Sequence, residues 1–317
     1  MSEVWEQPAR DDLDFPLILE RSRPRDAVGL ARAVAVVRAL TALPSPFRRI
    51  VEMRPLQDRI EIVQERFLGV TGRELYLSLR NSRRLLPIDV WLRVAQLLCT
   101  AWSMLPFEGP ASRLLPSPER FGVDIRRQLL IFPSTHQSLS AELTTEGGYV
   151  ATLHHAVAPE LRDGAPNDAR ARVYGLAAAL ALFLTGDNPI RRRLRREARS
   201  SETRWDPAIH PGCSAELAQV LSGALQVDPT SRPESPRALL EQFLAAAGCA
   251  PASLEKVAMV MLGAAPDQWK FALTYLSRNP EFLPVPWRDG GLSVLEDQLL
   301  ESVIPSDQLE LSPAPRR

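Results

Sequence analysis

Few residues in this sequence combine the type and spacing that chemistry needs. His154 and His155 are adjacent, but a metal would require more ligands than His136 and distant aspartates supply, so the pair reads as solvated loop histidines. Cys99, Cys213 and Cys249 lie far apart with no Cys-x-x-Cys pair, which fits free thiols in a reducing compartment better than a disulfide framework. The run RRRLRREAR (191–199) reads either as a phosphate or acidic-partner site or as a solvated helix face, diluted by Glu197 and Glu202. Only Lys256 and Lys270 are lysines, a bias that base composition alone suffices to explain, and residues 1–250 contain none. No glycine precedes Gly29. The first part of the chain therefore offers neither an amine nor a glycine-rich cradle to a phosphate.

The elements that must position these residues follow from the hydrophobic pattern. FPLILE (15–20) predicts a short strand ended by an arginine-rich turn, and residues 27–43 are helix-compatible. Two strand-like runs follow, RRIVEM (48–53) and RIEIVQERF (59–67), with PLQD as the turn between them. From about residue 71 the helical period dominates, in RELYLSL (73–79) and in the amphipathic stretch 88–105. Residues 110–150 read as irregular with one strand, RQLLIF (127–132). Helices are predicted over 168–185, 214–225 and 235–248, the last with Gly248 as its C-cap, and then over 253–263, 266–277 and 292–304. Leu292, Leu295, Leu299 and Ile304 give the final helix an apolar stripe that either docks on its own lobe or meets a partner. Trp205, Trp269 and Trp287 read as packing residues. Strands first and helices after predict an α+β fold with a small sheet lobe and a larger helical lobe.

The chain has 317 residues, enough to bury a real core, and its 45% apolar and 24% charged residues match a soluble globular protein. A formal net charge of zero gives no general attraction to nucleic acid or an anionic membrane. The longest apolar run, 173–185, falls short of the ~20 residues that span a bilayer and reads as a buried helix. The acidic, polar N-terminus is no signal peptide, so a cytoplasmic location is expected.

Three motifs then stand in order. Ala158, Pro159 and Glu160 form an Ala-Pro-Glu triplet; RVYGLAAALALFLTGDNPI covers 172–190; and His210-Pro211 precedes ALQVDPTSRP (224–233). Together they resemble the helical lobe of eukaryotic-type Ser/Thr protein kinases: the end of the activation segment, the buried central helix, and the Asp-Pro-x-x-Arg-Pro turn. The resemblance extends from about residue 15 to 247. It implies a two-lobed kinase-like fold, with a disordered 1–14, a reduced N-lobe over 15–70, a helical C-lobe over 71–248, a helical extension over 249–304 and a disordered tail over 305–317. It also implies a structural ion pair between Glu160 and Arg232, with Ala158 and Pro159 framing the glutamate.

The same resemblance locates what is missing. Kinase catalysis needs a strand lysine, a catalytic Asp, two metal ligands and a glycine-rich loop. FPLILER resembles the lysine strand and places Glu20 at the lysine, with Arg21 the nearby cation. Aligning Pro118-Glu119 puts Leu115 at the catalytic Asp and Arg120 at the metal-binding Asn. Ile131-Phe132-Pro133 stands for Asp-Phe-Gly, so Ile131 replaces the second metal ligand, and Arg172 replaces the Asp that braces the catalytic loop. Without those carboxylates Mg²⁺ lacks hard oxygen ligands. The reading is a degenerate bacterial pseudokinase, with no phosphotransferase activity, no cofactor and no ATP or Mg²⁺ bound. It would act by binding a protein, an active kinase or another cytoplasmic signalling assembly, through the helical lobe and the region after 250. The rival readings are an unconventional nucleotide-binding enzyme, with Asp124 or Asp163 recruited to the metal, and a helical adaptor with residual kinase ancestry.

Overall fold

The computed structural model describes residues 2–5, 17–22, 30–31, 34–35, 37–38, 41, 47, 50–57, 59–65, 67–82, 84–107, 116, 121–124, 129–131, 157–162, 164–185, 210, 212–264 and 278. Among them, a four-stranded sheet is built from β1 (Ser2–Trp5), β2 (Leu17–Ser22), β3 (Ile50–Pro55) and β4 (Ile60–Glu65), in the order β1-β2-β4-β3. All neighbours are antiparallel. In β4, Ile60, Ile62 and Gln64 share a face by alternation and are fully buried. Helical turns within 30–41 carry Leu30, Val34 and Val37 at helical spacing against this core.

Two expectations for this lobe need correction. Residues 2–5 were expected to be disordered, yet they form a strand in register with β2, Val4 opposite Glu20 and Trp5 opposite Leu19. A four-residue strand is too short to show a period, and what specifies it is the row of N–H and C=O groups that β2 would otherwise leave open. For the same reason β2 continues through Arg21 and Ser22, which the sequence assigns to a turn; both pair with β4.

A second, three-stranded sheet of β5 (Gly69–Thr71), β6 (Gly122–Asp124) and β7 (Leu129–Ile131) lies at the start of the helical lobe. Helices α1 (Gly72–Ser82) and α2 (Ile88–Ser103) follow β5 in sequence. Thr71 and Glu74 start α1 with a capping box: the Thr71 N–H donates to Glu74 Oε2 at 2.8 Å, and the Glu74 N–H to Thr71 Oγ1 at 3.2 Å. A single turn, α3 (Pro159–Arg162), precedes α4 (Ala169–Thr185). Residues 171–185 of α4 are all buried, as a helix apolar on every side must be. Around it pack α2, α5 (Ala215–Ala224) and α6 (Pro236–Ala246). Trp91 fixes α2 to α4 by donating Nε1–H to the Leu180 carbonyl at 2.9 Å, and it meets Phe243 of α6 edge-on at 5.3 Å. Ser214 and Ser235 cap α5 and α6, and Gly248 takes a φ of 67° just past α6, as its predicted C-cap role requires.

Helix α7 (Leu254–Ala264) continues the chain beyond α6 and packs on α1 and α2. Ala252, Val257, Val260, Met261 and Ala264 are buried in the same core cluster as α2 and α4. The region after 250 was read as a surface for partners; through residue 264 its apolar face is instead consumed by the protein's own helical lobe. The predicted helices 266–277 and 292–304, with Trp269 and Trp287, lie outside the described residues. None of the described helices is long and apolar enough to cross a membrane.

Candidate functional site

The best-formed polar constellation joins α3, α4 and the turn before α6. The turn is set by Asp228, whose side chain accepts from the Thr230 N–H at 2.9 Å and caps a 3-10 turn over Pro229–Ser231. That turn presents Arg232, whose guanidinium is fully buried. Its Nη1 and Nη2 donate to Glu160 Oε1 and Oε2 at 2.6 and 2.9 Å, a two-pronged pair. The remaining donors reach the carbonyls of Gln226, Val227 and Arg170, and the guanidinium lies 4.9 Å from the Tyr174 ring centroid. Arg170 returns the contact by donating to the Pro229, Thr230 and Arg232 carbonyls. Ala158 is buried, and Pro159 opens α3. Every donor of Arg232 has an acceptor, so the arrangement is a fastener rather than a reactive centre.

Arg172 lies one helical stretch away on α4 and is fully buried. Its Nη1 donates to the Leu105 carbonyl at 2.7 Å and more loosely to Trp102, and its Nη2 donates to Pro106. These acceptors are the carbonyls at and just past the C-terminus of α2, where a cation is favoured by the helix dipole. Phe107 covers the guanidinium, its centroid 4.2 Å from Cζ. Burial pulls the group down to about 10, and the nearby Asp168 carboxylate opposes that shift. Nε is buried without an acceptor among the described residues. The position that the sequence comparison treats as a lost brace thus still ties α4 to the segment after α2, with donors where a carboxylate would accept.

Glu20 sits in β2, in register with Val4 and Ile62. Ile131 ends β7, paired with Gly122. Leu115 and Arg120 lie outside the described residues, as do His136, His154, His155, Phe132, Pro133, Asp163 and the run 191–199. Asp124 is fully buried on β6, and its Oδ2 accepts from the Leu68 N–H at 2.9 Å. Among the described residues no three His, Cys, Asp or Glu side chains converge to hold a metal. The sequence reading passed over His210, which is buried with Nδ1 accepting from the Gly212 N–H at 3.0 Å and Nε2 2.8 Å from the Leu86 carbonyl. That pairing fixes the neutral Nε2–H tautomer. Its signal was present in His210-Pro211, taken only as part of a motif.

No family model matches this chain, and no curated protein does. Solved structures do. The kinase domain of Mycobacterium tuberculosis PknI is similar over 73% of this chain and 85% of its own, with 17% identity and a TM-score of 0.51. PpkA-294 in its apo form is similar over 76% of this chain and 90% of its own, with 15% identity and a TM-score of 0.53. The fold is that of a protein kinase. Phe67 and Leu68, between β4 and β5, form the linker, or hinge, between the two sheets.

Proposed function

We propose that this kinase-fold chain is a pseudokinase: a bacterial cytoplasmic signalling protein that works by binding another protein and transfers no phosphoryl group. The observation that carries this reading is Glu20 in β2. The ladders on both sides of the strand fix its register, with Arg21 opposite Glu3 and Glu61 and Glu20 opposite Val4 and Ile62. The resemblance places the lysine at Glu20 and not at Arg21 one place along, so Arg21 does not substitute for it. No lysine elsewhere in the first 250 residues can do so. A carboxylate in that place repels the phosphates that a lysine would hold.

Two further features support the reading. By the resemblance, Leu115 takes the place of the catalytic Asp, and Arg120 and Ile131 take the places of the two residues that would hold Mg²⁺. Asp124, which lies between Arg120 and Ile131 in sequence, already accepts the Leu68 N–H in a buried site. Meanwhile the fastener of the helical lobe is intact, with Arg232 and Glu160 paired through two bonds. Loss of the chemistry beside retention of the scaffold fits a fold kept for its surface. The division into a reduced lobe over 15–70, a lobe over 71–248 and an extension from 249 belongs to the same reading.

The test incubates the full chain with γ-labelled ATP, with Mg²⁺ and with Mn²⁺, alone and with general acceptor proteins. The expected result is no transfer and no rise in Tm with ATP·Mg²⁺. Transfer to any acceptor that disappears in Asp124→Ala or Glu20→Ala would overturn the proposal in favour of an enzyme with unusual ligands.

A further inference from the structure

Strand β6 begins with a residue that has no side chain, Gly122. Phe121 packs against Phe183 of α4 with ring centroids 5.3 Å apart, and Val123 is buried in the same core. Strand alternation therefore places the missing side chain of Gly122 on the opposite face of β6, turned away from the helical lobe and toward the sheet lobe. Something else occupies that space. A β-carbon at Gly122 would lie 2.5 Å from Phe67 Cζ and 2.8 Å from the Val70 carbonyl oxygen, both closer than a real β-carbon comes. Phe67 belongs to the segment that joins β4 of the upper sheet to β5 of the lower one.

The mounting of this ring is rigid. The next residue, Leu68, is fully buried, and its N–H is held by Asp124 Oδ2 at 2.9 Å. Gly69 follows with its Cα pressed on β6, so that a β-carbon there would lie 1.8 Å from the Val123 carbonyl oxygen. Only glycine permits that approach. The hinge is thus bound to β6 immediately after Phe67, and its ring is directed onto the bare strand at Gly122.

We propose that Phe67 is a built-in occupant of the cleft, filling the flat slot over Gly122 in which a planar heteroaromatic ring would otherwise stack. The proposal deepens the non-catalytic reading above and rests on it: the phosphate end of the cleft has lost its charges, and the ring end is filled by the protein itself. Shortening the side chain opens a slot with an apolar floor, suited to a nucleobase or a similar uncharged planar ligand.

The experiment measures thermal stability of the full chain with 1 mM adenosine for the wild type, Phe67→Ala and Phe67→Leu. Adenosine is chosen because it has the ring and no phosphate. The wild type shows no shift, while Phe67→Ala gains about 2 °C or more, as saturation of a new site requires. Phe67→Leu, the milder cut, gains less and carries the test if the alanine variant fails to fold. An equal shift in the wild type, or none in both variants when circular dichroism shows them folded, overturns the proposal. Failure of the two readings is distinguishable. Phosphoryl transfer by Phe67→Ala alone would end the non-catalytic reading and leave the plug standing, whereas adenosine binding by the wild type would do the reverse.

Discussion

A buried guanidinium held by main-chain carbonyls answers to different substitutions than one held by a carboxylate. Arg172 illustrates the first case. Replacing it with Asp, the residue that the sequence resemblance implies for this place, sets a carboxylate against the carbonyls of Leu105 and Pro106. The expected loss is about 3–5 kcal/mol, the usual penalty for an uncompensated buried charge. Arg172→Met keeps most of the volume and removes the desolvated charge, so it should cost less, about 1–2 kcal/mol. Urea midpoints for the two variants check the order. Arg232 illustrates the second case. Arg232→Ala should cost about 3–5 kcal/mol, because it strands Glu160 and three carbonyls. Glu160→Gln should cost less, since Arg232 keeps its carbonyl partners. A Lys at 232 would not rescue, having no planar fork to match both carboxylate oxygens. His210 adds a dependence on pH. Burial holds its imidazole below the ordinary value of about 6.5, outweighing the hydrogen bond to Leu86. The folded state therefore binds fewer protons than the unfolded one as pH falls through 6.5, and stability drops from there down through the depressed folded value. Unfolding free energy measured between pH 5 and 8 should show this decline in the wild type, and His210→Gln should flatten it.

At the scale of elements, α7 decides how the chain after 250 is understood. Met261 is fully buried in the core cluster shared with α2 and α4. Truncating it to Ala should cost about 2–5 kcal/mol, as for core methionines elsewhere. Lys256 pairs with Asp89 at 2.9 Å but is half exposed, so Lys256→Ala should cost under about 1 kcal/mol. If both substitutions were nearly silent in a denaturant titration, α7 would be an appended helix rather than part of the lobe. The sequence displayed this helix well enough: an apolar period over 253–263 places it within a residue. What it did not display was the partner face, because α1 and α2 contact α7 through residues more than 150 positions apart, as Arg93 does in donating to the Ala252 carbonyl. The same contrast holds elsewhere. The Gly248 cap and the all-apolar α4 are written in adjacent residues and were legible, whereas the equally local capping box at Thr71 and Glu74 was not read. The three-residue strands β5 and β6 were not, since Gly69–Thr71 and Gly122–Asp124 carry no period, and only their mutual pairing makes them strands. Of the candidate site, the Glu160–Arg232 pair was legible from two motifs, whereas the reversed brace at Arg172 depended on where α2 ends.

Across the whole molecule, the larger of the two described core clusters runs through both lobes. Ile60 and Ile62 of the upper sheet belong to the same contiguous set of buried residues as Leu68 and Val70 of the hinge region, α2, α4 and α7. A cleft that opens and closes on a ligand needs its lobes to be separable at low cost, and inter-domain motion is the default only where the interface is small. Here the hinge is itself a core element: Leu68 and Val70 are fully buried, and Asp124 holds the Leu68 N–H. On the proposed non-catalytic reading the need for that motion is gone, and the two lobes are free to share one cluster. The consequence is a single cooperative unfolding step. Hydrogen exchange of the β4 amides, which follows the upper sheet, and the accessibility of Cys99, buried in α2, should report the same midpoint in guanidinium. Asp124→Asn weakens the charged tie between β6 and hinge while keeping its shape, and it should lower that midpoint without splitting the transition. Two resolved midpoints in the wild type, with the sheet melting first, would mean that the lobes remain separable and that the hinge has kept the freedom of a working kinase.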